Sequence, residues 1–280
     1  MTRAVLRALG ALVLVAGVLP AQRPVTDVLL KPARVWDGVA DAPVDGLVVL
    51  VHGDRIAAVG TATQVQAPAG VKVIDLPGLT LMPGMIDAHS HVLLHPYNEA
   101  TWDEQVLKES TALRVARATV HVRNTLMAGF TLLRDLGTEG AGYADVGVKQ
   151  AIERGVIPGP RLLVTTKAIV GRGSYGPKGF STEVEVPQGA EEAGNADELV
   201  RIVRDQIAHG ADWIKVYADY RWGPNGEARP GFTEAELRAA VEIAETSGRH
   251  VVAHSSTAEG MRRATLAGVT NIEIRRWRHA

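Results

Sequence analysis

The sequence contains no cysteine. That excludes a disulfide framework, a thiolate nucleophile and any zinc site built on sulfur, so a metal would have to be held by histidine, carboxylate or something less usual. It also lacks an excess of charge of either sign. Thirty Lys+Arg stand against 31 Asp+Glu, a net charge of −1, with an isoelectric point near 6.8, which removes the electrostatic case for a nucleic-acid partner. It has no apolar run long enough to cross a bilayer. The uncharged apolar run from Ala8 to Leu19 is about a dozen residues, against the ~20 that a spanning helix needs. There is no internal repeat.

What is present reads as a globular protein with a sizeable core: 280 residues, 46% hydrophobic and 22% charged,. Arg3 and Arg7 precede the Ala8–Leu19 run, and Ala21 offers a small residue before a cleavage point. This is the pattern of a secretory signal over residues 1–21. The expectation is a mature chain from about Gln22, periplasmic or secreted, with no stable membrane anchor after signal cleavage and no lipid attachment at the end of the run. Five of the basic residues (Arg3, Arg7, Arg275, Arg276, Arg278) lie in the two terminal segments. The body between them therefore carries an acidic excess.

Residues 22–82 read as short strands and turns. Val28-Leu29-Leu30, Gly46 to Val51, Ile56 to Val59 and Val71 to Ile74 are β-like, and Gly38, Gly53-Asp54, Gly60, Pro68 and Gly70 punctuate them,. A small β-sandwich or half of one is expected. From Thr80 the rhythm becomes strand then helix. Strands are expected at Thr80–Asp87, Thr131–Asp135, Arg161–Thr166, Trp213–Ala218, His250–His254 and from Asn271 to Ile274. Helices are expected within 104–127, within 143–154, and at 197–208, 233–246 and 257–267. Thr233 and Glu236 are placed as a capping box. Six strands alternating with helices predict an α/β fold, a (β/α)8 TIM-type barrel that is incomplete, over a doubly wound open sheet. The barrel part runs over residues 83–274.

His89 and His91 stand at i and i+2 at the C-terminal end of the first barrel strand. Their side chains share a face, at the barrel end where active sites lie. Two imidazoles so placed can share a metal. Lys215, in Trp213-Ile-Lys-Val-Tyr217, faces either the helices or the barrel interior. On local sequence alone a snorkelling or salt-bridged lysine is the better reading, although carboxylation by carbon dioxide would turn it into an anionic bridging ligand. His254 ends the fifth strand at the same rim, whereas His250 begins it at the opposite end. Together with His89 and His91, His254 reads as part of a metal cluster. Tyr217 and Tyr220 could hydrogen-bond a substrate carboxylate, with ordinary packing an equal alternative. Asp135 reads as a cap or turn residue, or as a support behind the ligands. Gly171-Arg-Gly-Ser-Tyr-Gly176 matches a dinucleotide fingerprint but does not open a helix, because Pro177 and Gly179 follow. A loop over the active site fits it better. His52, His95, His121 and His209 read as structural or surface residues.

Leu81-Met-Pro-Gly-Met-Ile-Asp-Ala-His-Ser-His91 resembles the opening metal motif of the amidohydrolase superfamily. The likeness continues in Thr131-Leu-Leu-Arg-Asp-Leu-Gly137, Gly159-Pro-Arg-Leu-Leu163, Trp213 to Tyr220, Val252-Ala-His-Ser255 and Glu259-Gly-Met261. The sequence is most similar to the branch of imidazolonepropionase-like enzymes and Xaa-Pro or Xaa-Arg dipeptidases. The resemblance implies a divalent metal site, two zinc ions, held by His89, His91, an N-carboxylated Lys215 and His254. It implies hydrolysis of a C–N amide bond in a small-molecule or dipeptide substrate by metal-activated hydroxide, and leaves room for a homo-oligomer of the full-length form.

The resemblance also calls for a histidine after the Ile-Glu pair and for an Asp on an eighth strand that serves as general acid/base. Here Thr270-Asn-Ile-Glu273 is followed by Ile274 and by Arg275-Arg-Trp-Arg-His-Ala280, so the catalytic Asp is without a counterpart. A full barrel takes about 250 residues, more than remain after the leader and the sandwich. If residues 275–279 are encoded CGG CGG TGG CGG CAC, a shifted frame reads Gly-Gly-Gly-Gly, and a glycine-rich stretch is what the resemblance offers at that point. The expectation is an aberrant, frameshifted tail. The alternative to an active hydrolase is then an inactive truncated fragment.

Overall fold

The computed structural model describes residues 26–181 and 183–273. The expected signal over 1–21, Ile274 and the tail 275–280 lie outside the described residues. The chain divides between Pro83 and Gly84 into two compact units.

The first unit holds β1 (Asp27–Val35), β2 (Val44–Asp45), β3 (Leu47–His52), β4 (Arg55–Thr61) and β5 (Lys72–Leu81). Where a sandwich or half of one is expected, the described residues form a single layer, a five-stranded sheet. In it β1 runs antiparallel to β2 and β3 and parallel to β5. Gly53, at φ 61°, turns β3 into β4. Alternation along the strands brings Leu29, Val48 and Leu50 onto one face, where they meet Val65 in a small core,.

The second unit holds β6 (Met85–Ser90), α1 (Trp102–Leu107), α2 (Thr111–Met127), β7 (Phe130–Asp135), α3 (Ala144–Glu153), β8 (Arg161–Val164), β9 (Ile169–Gly171), β10 (Glu191–Ala193), α4 (Ala196–Ala208), β11 (Trp213–Tyr217), β12 (Asp219–Arg221), β13 (Ala228–Pro230), α5 (Glu234–Glu245), β14 (His250–His254), α6 (Ala258–Leu266) and β15 (Asn271–Glu273). Strands β6-β7-β8 and β11-β14-β15 pair in parallel. The two sets are tied where the Asp212 amide donates to the Val164 carbonyl at 2.8 Å and the Val164 amide to Asp212 Oδ2 at 2.9 Å. This is an α/β architecture, six strands of an incomplete (β/α) barrel. Among the described residues β6 and β15 each pair on one side only.

Two expected elements are divided. The apolar stretch Thr80–Asp87 is split between β5 and β6, because Pro83 has no N–H to give a ladder and the Gly84 backbone runs against Thr131. A Cβ at Gly84 would collide with the Thr131 side chain. The helix expected within 104–127 is two helices. Thr101 and Glu104 form a reciprocal capping box on α1, and Ser110 caps α2 by accepting from the Leu113 amide,. The Thr233–Glu236 box on α5 forms as its sequence dictates.

Along β11 and β14, Ile214, Val216, Val251 and Ala253 pack outward against Leu199, Ile202 and Leu237 of α4 and α5. Period-two alternation then turns Lys215, Tyr217, Val252 and His254 to the barrel interior.

Candidate active site

His89 lies in β6 and His91 follows its end. Their ring centroids are 5.4 Å apart. His91 Nδ1 is 2.9 Å from the Gly137 carbonyl oxygen. A carbonyl only accepts, so Nδ1 carries the hydrogen and Nε2 the lone pair, which is the orientation a metal-ligating imidazole needs. His89 Nδ1 is 3.4 Å from Glu273 Oε2 at the end of β15. Glu273 in turn accepts from Arg134 Nη2 at 2.6 Å. Arg134 also donates to the Ala88 carbonyl and Asn271 Oδ1, and stacks 4.7 Å over the Trp213 ring. Side chains of β6, β7, β11 and β15 thus interlock inside the barrel.

Lys215 is 1% exposed. The alternative the sequence left open resolves to the interior. Its Nζ has no hydrogen-bond partner and stands 5.6 Å over the Tyr217 ring. Desolvation lowers its pKa to about 7, and Arg134 adds to that, while Glu273 and Glu139 oppose it. His254, buried at the end of β14, stacks on Tyr217 with centroids 4.7 Å apart. His89, His91, His254, Tyr217 and Tyr220 line one pocket of about 440 Å³, within the range of small-molecule sites.

Among the described residues, no group of three or more His, Asp or Glu side chains stands close enough to hold a metal ion. The paired donors are His89 and His91. The nearby group that would extend the set is a lysine. A fully buried amine with no hydrogen-bond partner is costly to keep, so its chemistry fits a site completed by a cation and a carboxylated Lys215.

Several residues of this pocket belong to no sequence motif, among them Tyr97, Thr101, Trp102, Asp103 and Glu139. Glu139, Trp102 and Tyr175 line it. Glu139 is 3% exposed and adopts φ 47°, a left-handed conformation rare outside glycine,. Its Oε2 accepts from Trp102 Nε1 at 2.9 Å and from the Tyr175 hydroxyl at 2.7 Å. Burial pushes the Tyr175 and Tyr217 hydroxyls well above their ordinary pKa, so both stay protonated as donors. The 171–176 segment, read as an active-site loop, brings Tyr175 and Gly176 to the pocket.

Two carboxylates hold the loops that follow the histidines. Asp135 Oδ1 accepts from the Val92 amide at 2.9 Å, directly after His91. Desolvation, with Asp145 nearby, raises its pKa well above the usual carboxylate value. Asp219 is fully buried and accepts from the amides of Ser256 and Thr257 and from the hydroxyls of Ser255, Ser256 and Thr257. Burial pushes its pKa up, but these bonds outweigh it and hold the group below the ordinary value. The Gly260 backbone passes so close that a Cβ there would collide with the Asp219 carboxylate. Asp219→Ala is expected to lose about 3 kcal/mol, because the surrounding donors are left buried without an acceptor. Urea denaturation checks this, with a shifted midpoint at unchanged slope. Among the described residues the other histidines make contacts of their own: His121 meets the His95 ring and His250 the Trp213 ring. His52 pairs with Asp27, His95 with Glu99 and Glu109, and His209 stacks on Tyr143.

Comparison with known proteins places this geometry. The chain is 26% identical over 195 residues to an uncharacterized protein of Mycobacterium tuberculosis, covering 69% of this chain and 44% of that one. A short segment of 46 residues is 52% identical to an N-substituted formamide deformylase of Arthrobacter pascens, 16% of this chain and 8% of that one. Among solved structures it is similar to a prolidase complexed with N-methylphosphonate-L-proline, at 30% identity and TM-score 0.77, over 88% of this chain and 60% of that one. It is also similar to a Xaa-Pro dipeptidase with bound methionine, at 26% identity and TM-score 0.75, over 88% of this chain and 61% of that one. The chain thus spans under half of the first curated relative and about three fifths of these structures. Among the described residues no helix is long and apolar enough to cross a membrane. The family model for amidohydrolases matches residues 80–274, the segment that carries every residue of the pocket, and the chain belongs to the amidohydrolase family.

Proposed function

We propose that the protein hydrolyses a C–N amide bond in a small substrate, a dipeptide or a cyclic amide, with His89, His91, Lys215 and His254 holding divalent metal, two zinc ions. The observation that carries this reading is Lys215, an amine buried in the barrel interior with no hydrogen-bond partner. At a pKa of about 7 much of it is neutral at physiological pH. Only the neutral amine has the lone pair to add carbon dioxide. The nitrogen–carbon bond forms, one proton leaves, and a carbamate with two ligating oxygens results.

A divalent cation held by these residues would supply Lewis-acid polarisation of the amide carbonyl and activation of water. His91, with Nδ1 fixed on the Gly137 carbonyl, presents Nε2 inward. In this reading Tyr217 and Tyr220, which line the pocket, would donate to a substrate carboxylate. The tyrosine and tryptophan rings exclude water from the reacting bond. The names of the prolidase and dipeptidase relatives agree with such a substrate.

A second reading is a chain that holds metal but does not turn over. It is favoured by Ile274, which stands where the resemblance places a histidine. Incubating the zinc-loaded chain with a panel of dipeptides and cyclic amides separates the two. Hydrolysis that a chelator abolishes and zinc restores is the expected result. Bound zinc without turnover on any member would support the second reading instead.

A further inference from the structure

We infer that Glu273, anchored by Arg134, is a positioning residue: it fixes the hydrogen of the His89 ring on Nδ1 and so leaves the lone pair on Nε2. What that orientation serves rests on His89 and His91 being ligands of the proposed metal site. The orientation itself does not.

Placement comes first. In the parallel pairing of β14 and β15, Glu273 lies in register with His254, and partners in register turn to the same side of a sheet. Glu273 therefore points into the barrel, as His254 does. Arg134 reaches it from β7. Its Nη2 donates to Glu273 Oε1 at 2.6 Å and to Asn271 Oδ1 at 2.9 Å, its Nε donates to the Ala88 carbonyl at 2.9 Å, and its guanidinium lies 4.7 Å over the Trp213 ring. Ala88 directly precedes His89. One guanidinium, on a side chain 10% exposed, thus joins β6 at the histidine to β15 at the carboxylate. It also brings the countercharge that a largely buried carboxylate needs.

The two oxygens of Glu273 are thereby divided. Oε1 is taken by Arg134, and Oε2 is 3.4 Å from His89 Nδ1. A carboxylate so paired only accepts, so the hydrogen of a neutral His89 ring belongs on Nδ1 and the lone pair on Nε2. The contact is longer than a strong charge-assisted bond, so it decides the tautomer more than it adds stability. His91 is oriented the same way by the Gly137 carbonyl. The two rings stand 5.4 Å apart, and their Nδ1 atoms find acceptors on two different elements, β15 and the loop after β7. Neighbouring imidazoles that keep the same nitrogen for a ligand are what a shared cation requires.

The test is an isosteric reversal. In Glu273→Gln, Arg134 holds the amide oxygen, so the amide nitrogen meets His89 Nδ1 and can only donate to it. The His89 hydrogen is then expected to move to Nε2. Long-range nitrogen–proton NMR spectra of the full chain, metal-free at about pH 9 and isotope-labelled at histidine, read which nitrogen is protonated. His89 is assigned by the loss of its signals in His89→Gln. The wild type is expected to show the hydrogen on Nδ1 of His89 and Glu273→Gln to show it on Nε2, with the His91 ring unchanged. Zinc affinity, measured by competition with a chelating dye, is expected to fall about 10- to 100-fold in Glu273→Gln. A His89 hydrogen on Nε2 in the wild type overturns the inference without any variant. So does a hydrogen that stays on Nδ1 in a folded Glu273→Gln, as it would if Glu273 were only structural. A reversed tautomer with unchanged zinc affinity would count against His89 as a ligand and leave the positioning role standing.

Discussion

The Lys215→Met chain, stripped of metal, is expected to be more stable than the stripped wild type at pH 7, by roughly 3–5 kcal/mol. Methionine follows the path of the lysine stem and brings no charge to bury. The sign follows from the two states. Unfolded, the amine titrates near its model value of 10.5; folded, burial lowers it to about 7. Between those values the unfolded chain holds the extra proton, so the stripped wild type gains stability as pH rises from about 7 to about 10.5. The groups that face the amine are Glu273, Glu139 and Arg134, and the slope that the Lys215→Met substitution removes is the lysine's own. Denaturant midpoints at pH 7, 8.5 and 10 check this, the difference between the two chains shrinking as pH rises. The same substitution removes the proposed bridging ligand, so zinc retention and amide hydrolysis are expected to fall by about 10³-fold or more. A variant gaining stability while losing all activity separates a functional lysine from a structural one.

Arg114→Met carries the largest expected loss of stability, about 3–5 kcal/mol. Arg114 is 2% exposed on α2. Its Nε donates to the Leu93 carbonyl at 3.0 Å, its Nη2 to Thr138 at 2.7 Å and its Nη1 to Glu139 at 2.9 Å. One planar fork thus joins the loop after β6, two residues beyond His91, to the loop after β7. Removing it leaves the Leu93 and Glu139 carbonyls without this donor and Thr138 with only the Ala141 amide, and frees both loops. Arg114→Lys is expected to recover little, since a single ammonium cannot span three carbonyls in that fan. At about 2–4 °C per kcal/mol for a chain of this size, thermal unfolding should shift down by about 10 °C. An unchanged melting temperature in Arg114→Met would show that the fork is not what holds the loops.

The strands and helices of the barrel were legible because apolar periodicity and capping residues agree along it. Thr233 and Glu236 announced α5, and His250–His254 is the strand its pattern named. The break between β5 and β6 was hidden because Leu79 to Ile86 is nearly continuous in hydropathy, and only the Gly84–Thr131 contact explains it. Lys215 could not be oriented from its own strand, because Ile214 and Val216 fit equally against helices or inside a barrel. The direction is decided by Leu199, Ile202 and Leu237, which are distant in sequence. His89, His91 and His254 were visible as residues that end strands at one rim. Glu139 was not, since it belongs to no motif and its place depends on Arg114, Trp102 and Tyr175 from three other segments. The cluster of glycines at 137, 140 and 142, all at positive φ, was the one local signal that the backbone there is unusual.

His89, His91, Lys215 and His254 are proposed to form one metal site. This is tested most directly by the zinc content of the chain after reconstitution and desalting, measured by mass spectrometry for the wild type and for His91→Ala and His254→Ala. Two zinc ions per wild-type chain are expected, with the loss of at least one in each variant. A wild-type chain that keeps no zinc, or variants that keep as much as the wild type, would contradict it.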